Sequence, residues 1–280
     1  MYLPEILPNV RVLVAVKTYP VPSAKYDELV CNAGFLENGN WIRIYPIQFR
    51  ALPYAQQYKK YDWIQLGLER NRSDFRQESY RPIKGVDEPI QTLGNISTGK
   101  NRDWAERKRF ALNEVFVSMN ELINLAKTSG VWKSLATVKP KEIVDFVIEP
   151  DDREWKASMR NSLRQLKLFE QTTVQREAQI VRKLPYRYYY RFLTEGDDTP
   201  RKMMIEDWEI GALYWNCLAQ TEGDEVVANE LVQKKYCDEF LNKDLYLFVG
   251  TTKANHMRGP NPFVIIGVFY PPKSLQMPLL

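Results

Sequence analysis

The sequence holds a single histidine, His256, in 280 residues. A Ser-His-Asp or Cys-His mechanism would have to take its base from that one position, and no G-x-S-x-G elbow accompanies it. A histidine-built zinc site is short of ligands for the same reason. Glycine is sparse, at 13 residues, and neither G-x-x-x-x-G-K-S/T nor G-x-G-x-x-G occurs, which argues against P-loop hydrolysis and a standard dinucleotide site. No cofactor is expected. The three cysteines, Cys31, Cys217 and Cys237, stand far apart in no C-x-x-C spacing and read as reduced thiols. Long apolar runs are missing: Phe263 to Tyr270 is strand-length and interrupted by Gly267, against the roughly 20 residues of a membrane helix. The opening MYLPEILPNV, broken by prolines, lacks the layout of a signal peptide. A cytoplasmic location and no membrane partner are the expectations.

What is present is a globular composition, 44% hydrophobic and 26% charged, unusually rich in aromatics with 16 Tyr and 7 Trp. A chain of this length buries a core without staples. The net charge of +4 is unevenly spread. Arg153 to Arg191 carries ten basic and three acidic residues, and Glu195 to Glu239 carries four basic and twelve acidic ones. Either the two segments neutralise each other in the fold, or the basic one faces phosphate while the acidic one faces a partner.

Val10 to Lys17 alternates with a period of two and predicts a buried strand. Glu28 to Phe35, Trp41 to Pro46 and Tyr61 to Glu69 follow as further strands, with turns at TYPVPS and ENGN. Together they predict a small antiparallel barrel. Residues 71 to 100 read as a long connection with at most two strands, and Asp103 to Thr128 as one long helix or two short ones. Glu154 to Phe169 is helical, Leu184 to Leu193 a tyrosine-rich strand, and MIEDWEIGALYWN (204 to 216) leads into a helix with acidic residues in its first turn. A second helix covers Glu225 to Leu241, and Asp244 to Val249 and Phe263 to Tyr270 return to strand. The fold class is therefore α+β: an N-terminal barrel with inserted helices and a second, C-terminal β-rich part. The expected division is a barrel-like domain over 1–100, a mainly helical basic segment over 101–183 and an α+β part over 184–280.

Flat rings stack on bases while Arg and Lys neutralise phosphates, and single-strand binders combine the two on a sheet face. Period two places Trp41, Arg43 and Tyr45 on one face of their strand, and Trp63 shares a face with Tyr61. In YRYYYRF, Tyr186, Tyr188, Tyr190 and Phe192 point to the core, and Arg187, Tyr189 and Arg191 point the other way. Lys253 and Arg258 flank His256 in the polar loop TTKANHMRGPNP, beside Asn255 and Asn261. These residues form the candidate nucleic-acid site. The competing reading packs Trp41, Tyr45, Trp63 and Tyr189 under helices, pairs Arg43 or Arg187 with carboxylates, and leaves the 251–262 loop merely solvated.

The first fifty residues resemble a stretch of a bacterial family, the dual OB-containing domain proteins. The shared pattern is a hydrophobic strand, Ser23 with Lys25, Cys31-x-Ala33-Gly34, a turn at Gly39, and Trp41-Ile42-Arg43 followed by Pro46. MIEDWEIGALYWN is similar to a block in uncharacterised bacterial proteins with the same N-terminal pattern. The resemblance implies an oligonucleotide-binding-type barrel at the N-terminus and a second β-rich part at the C-terminus. Three functions follow in order of preference. The first is a non-catalytic nucleic-acid binder, an accessory component of a DNA- or RNA-handling system that favours single strands or RNA. The second is an adaptor docking a protein partner on the acidic helices of 206–241. The third is a Mg²⁺-dependent nuclease using Glu206, Asp207, Glu209, Asp238 and Glu239.

Overall fold

The computed structural model describes residues 3–23, 27–52, 57–157 and 181–273. The strand pattern of the sequence appears first as β1 (Ile6–Lys17), β2 (Val21–Ser23), β3 (Asp27–Leu36), β4 (Trp41–Ile47), β5 (Asp62–Arg70), β6 (Ser79–Pro82) and β7 (Gln91–Asn95). β1 pairs antiparallel with β3 and β3 with β4. β4 then runs parallel to β6, β6 antiparallel to β5, and β5 returns to β1. Five strands thus close into a barrel in the order first, second, third, fifth, fourth, with the third and fifth parallel. This is the circuit of an oligonucleotide-binding-type barrel. Its lumen is filled by Val12, Val14, Ile42, Ile44, Ile64, Leu66 and Tyr80, all below 4% exposure.

Two short helices follow, α1 (Ala105–Ala111) and α2 (Met119–Lys127), separated by β8 (Val115–Phe116). Ser118 caps α2 by accepting a hydrogen bond from the Glu121 amide, and Met119, Leu122, Ile123 and Ala126 bury one face at helical spacing. The 101–183 segment then turns to strand at β9 (Leu135–Val138) and β10 (Glu142–Pro150). These interweave with β11 (Tyr186–Leu193), β12 (Arg201–Met204), β13 (Tyr246–Thr251) and β14 (Phe263–Phe269). The helix expected over Glu154 to Phe169 lies mostly outside the described residues, as does most of the basic segment.

The second half repeats the circuit of the first. The stretch 135–150 pairs with β13 through β9 and with β11 through β10, β11 pairs with β12, and β13 pairs with β14. A parallel bridge between Ile205 and Ile265 joins the third strand to the fifth. Between third and fourth strands lie α3 (Trp208–Gln220), capped by Asp207, and α4 (Glu225–Lys234), capped by Asp224. α4 is shorter than the expected Glu225 to Leu241, passing into a π-helical turn over Lys235–Glu239 that buries Tyr236. On β11, Tyr188, Tyr190 and Phe192 are buried, as their alternation requires. Among the described residues no helix is long and apolar enough to cross a membrane.

The halves are not strung apart. Leu13, Ala15, Ala33 and Phe35, on the outer face of the first barrel, share a core with Leu135, Phe248, Ile266 and Phe269 of the second, and Phe110 of α1 fills its edge. α3 comes so close to Tyr19 that a Cβ at Gly211 would lie 2.3 Å from its ring.

Candidate functional site

The outer surface of β3 and β4, where the sequence places Trp41, Arg43 and Tyr45, is the seam between the barrels. Arg43 is 4% exposed. Its Nη2 donates to the carbonyl and the hydroxyl of Ser134, each at 3.1 Å, which satisfies groups inside the protein and leaves no reach to a phosphate. Trp41 is half-buried, its ring centroid 4.1 Å from Phe35 and 5.3 Å from Phe248 of the second barrel. Tyr45 stays exposed. Trp63 is half-buried against Phe110 at 5.4 Å, under the Arg11 guanidinium. The open aromatic sheet face expected here is corrected: the apolar gain of covering it with β13 and β14 outweighs leaving it to water.

On β11 the outer residues are exposed or half-buried but electrically spent. Arg187 pairs with Asp151 at 2.7 Å, Arg191 with Asp145 at 4.0 Å, and Tyr189 lies beneath Lys202, which pairs with Glu149. Each of these cations has a carboxylate, and Asp151 is shared with Lys183. In the loop after β13, Lys253 donates to the Ser73 carbonyl and Arg258 is exposed, while His256 is fully buried, not solvated. The carboxylates of the nuclease reading do not converge. Asp207 is buried as the α3 cap, Asp238 and Glu239 sit on the π-helical turn, and no group of three metal-ligating side chains forms among the described residues.

Cations and rings do converge elsewhere, in a cleft of about 280 Å³ where α1 meets both barrels. Lys59, Lys60 and Tyr61 enter it just before β5, Trp104 from the N-cap of α1 and Arg107 from α1 itself, and Glu209 and Tyr270 from the second half. The backbone is held in an unfavourable region to present them. Tyr61, Arg102 and Trp104 have φ of 68°, 52° and 61°, left-handed values that cost a side-chain-bearing residue about 1–3 kcal/mol each. Hydrogen bonds compensate: Tyr61 N to Val14 O at 2.7 Å, Ile96 N to Tyr61 O at 2.9 Å, and Trp104 N to Thr98 O at 3.0 Å.

Arg107 lies flat on this scaffold. Its guanidinium carbon is 4.1 Å from the Tyr61 ring centroid and 5.1 Å from that of Trp104, and Nε donates to Ile96 O at 2.8 Å. Burial disfavours its charge and lowers its pKa, and no carboxylate pairs with it among the described residues. Among the described residues lining the cleft the carboxylate is Glu209, which Lys60 engages at 3.1 Å. Trp104 meets Tyr270 at 5.2 Å and Phe269 at 5.5 Å, and the buried Tyr61 hydroxyl has no hydrogen-bond partner among the described residues. Behind Lys60, Lys17 Nζ sits 3.9 Å above Phe49 and 5.4 Å from Trp208, and burial lowers it to about 8.

Sequence reasoning missed Lys60, Trp104 and Arg107. A signal was there: residues 100–109 hold five cations and two carboxylates around Trp104. It was absorbed into the helical pattern of Asp103 to Thr128.

Two family models cover nearly the whole chain. Residues 8–113 match a domain of unknown function (DUF8758), and residues 115–279 match a second (DUF8757). No curated protein matches. A murine DNA-binding protein solved with double-stranded DNA aligns over 97% of this chain and 100% of that one, at 8% identity and a TM-score of 0.32, a likeness too low to argue from.

Proposed function

The chain belongs to the DUF8757 family, and we propose that it binds single-stranded nucleic acid in the cleft between its barrels, as a non-catalytic component of a DNA- or RNA-handling system. One observation carries the reading: Lys59 and Arg107, neither paired with a carboxylate among the described residues, converge with Tyr61, Trp104 and Tyr270 beside Lys60, which Glu209 and Asp207 engage. Unpaired cations attract phosphate, and rings beside them accept an unstacked base. A paired duplex keeps its bases stacked inward and gives such rings nothing to hold, which favours a single strand.

The test is a salt titration of the affinity for a fluorescent decathymidine. If Lys59, Arg107 and their neighbours displace counterions, log Kd rises linearly with log salt concentration with a slope of about 2 to 3. No binding at low salt removes the proposal.

A second reading rests on α4. Val226 and Val227 are 69% and 39% exposed in the first turn of this helix, an apolar spot that suits a protein partner, while Glu225 beside them is already paired with Arg153. A partner retained after nuclease digestion and lost in Val226→Glu favours this adaptor role.

A further inference from the structure

A cavity of about 420 Å³ is lined by Trp41, Phe35, Phe110, Glu78 and Asn113 among others. We infer that it is a base subsite selective for guanine, an inference that rests on the nucleic-acid reading above and names what the bound strand must contain. Its floor is aromatic: Phe35 stands 4.1 Å from Trp41 and 6.4 Å from Phe110. Phe35 and Phe110 are themselves buried, so the ring a planar base can meet is Trp41, which is closed off from an open sheet face but remains half-exposed at this cavity.

The rim sets the choice of base. Glu78 is half-buried, and one of its oxygens, Oε1, accepts from the Ser134 hydroxyl, which fixes the carboxylate. The other, Oε2, has no hydrogen-bond partner among the described residues. The second carboxylate of the cavity, Glu114, is neutralised by Lys133. A fixed carboxylate seeks two adjacent N–H donors, and guanine alone of the four bases presents them, N1–H beside the 2-amino group. Adenine and cytosine offer one amino group next to an acceptor, and thymine or uracil one N–H between two acceptors. The Asn113 amide lies at the same rim, where a Cβ on Gly39 would come within 2.9 Å of its Nδ2, and it can meet the guanine carbonyl.

Continuity with the cation cleft comes from α1. Arg107 faces the cleft and Phe110, one turn on, lines the cavity, while Trp63 bridges below at 5.4 Å from Phe110. One strand can therefore hold its phosphates at Arg107 and lay a base on Trp41.

The experiment compares the whole chain binding to decathymidine and to the same strand with one central guanine, hypoxanthine, adenine or cytosine, by fluorescence anisotropy at low salt. Guanine should tighten binding by about tenfold over thymine, the range of one bidentate base contact. Hypoxanthine, which lacks the 2-amino group, should lose most of that gain. Glu78→Gln keeps an acceptor for Ser134 but puts a donor where guanine needs an acceptor, so on this variant the guanine strand should bind no tighter than decathymidine. Equal affinities within twofold for all five strands on the native protein overturn the subsite, as does a guanine gain that survives in Glu78→Gln. Salt-dependent binding of decathymidine with no guanine gain removes the subsite alone, and absence of any binding removes both readings.

Discussion

Lys60 of the first barrel and Asp207 of the second form the charged joint of the molecule: Nζ and Oδ2 lie 3.9 Å apart at the point where α3 begins. Asp207 is 1% exposed, its Oδ1 accepts from the Glu209 amide, and its Oδ2 has no hydrogen-bond donor among the described residues. Lys60 also donates to Glu209 Oε2 and to the Val268 carbonyl at 3.2 Å. Burial opposes the Lys60 charge, but Glu209 and Asp207 outweigh it and raise its pKa, while burial pushes Asp207 up to about 7 against the pull of Lys60.

Removing the cation should therefore cost far more than removing its exposed partner. Lys60→Met leaves Asp207 buried with no close positive charge except Lys17, and is expected to lower unfolding free energy by on the order of 3 kcal/mol. Glu209, whose side chain is 45% exposed, is largely screened, so Glu209→Gln should cost less than about 1 kcal/mol. Urea unfolding of the two variants at pH 7 measures both.

The same joint sets a pH dependence. A folded pKa raised above the ordinary carboxylate value means the native state holds the Asp207 proton more tightly than the unfolded chain does. The contribution is thus full below about pH 4 and is lost as pH rises through about 7. Asp207→Asn keeps the acceptor for the α3 cap and removes the titration. The variant should lose this downward slope between pH 4 and 7, seen as a rise in its stability relative to the native protein toward pH 7. Parallel curves would mean Asp207 does not titrate in this window.

In the cleft, rings and cations should separate by their salt response. Trp104→Ala is expected to weaken single-strand affinity by about tenfold with the salt slope unchanged, because stacking releases no counterions. Arg107→Ala should reduce the slope by about 1. Arg43→Met is the contrast. Buried and bonded to Ser134, it should cost about 2 kcal/mol in unfolding and leave the slope as it was.

Arg43 also shows where a sequence stops being legible. Alternation assigns Trp41, Arg43 and Tyr45 to one face of β4, and the structure keeps that, but period two carries no information on what covers a face. The cover, Phe248 and Ser134, comes from strands more than ninety residues later. On β11 the same alternation does give the buried face: Tyr188, Tyr190 and Phe192 are buried, and Arg187 and Arg191 beside them are exposed. The barrel was legible because its strands are contiguous runs with turn residues between them. The cleft was not, because Lys60 and Glu209 are 149 residues apart and only closure of both barrels brings them together.

His256 gives the last prediction. Its Nε2 lies 2.8 Å from the Ala126 carbonyl, which can only accept, so Nε2 carries the hydrogen and Nδ1 accepts from the Thr251 hydroxyl at 2.7 Å. That tautomer is neutral, and both nitrogens are occupied. Burial lowers its pKa, with the cations Arg76 and Arg43 acting in the same direction and the Ala126 carbonyl and Glu78 opposing. A folded pKa below the unfolded value of 6.5 means the stabilisation is present above pH 6.5 and is lost as pH falls through the folded pKa, because the unfolded chain takes up a proton that the folded one resists. The native protein should accordingly destabilise on acidification below pH 6.5 more steeply than His256→Gln, which can still donate to Ala126 and accept from Thr251 without titrating. At pH 8 the variant should be less stable by about 1–2 kcal/mol, the cost of imperfect hydrogen bonds in a buried site, and the gap should narrow by pH 5. A gap that widens on acidification would mean that His256 is protonated in the fold and bonded otherwise than Ala126 and Thr251 require.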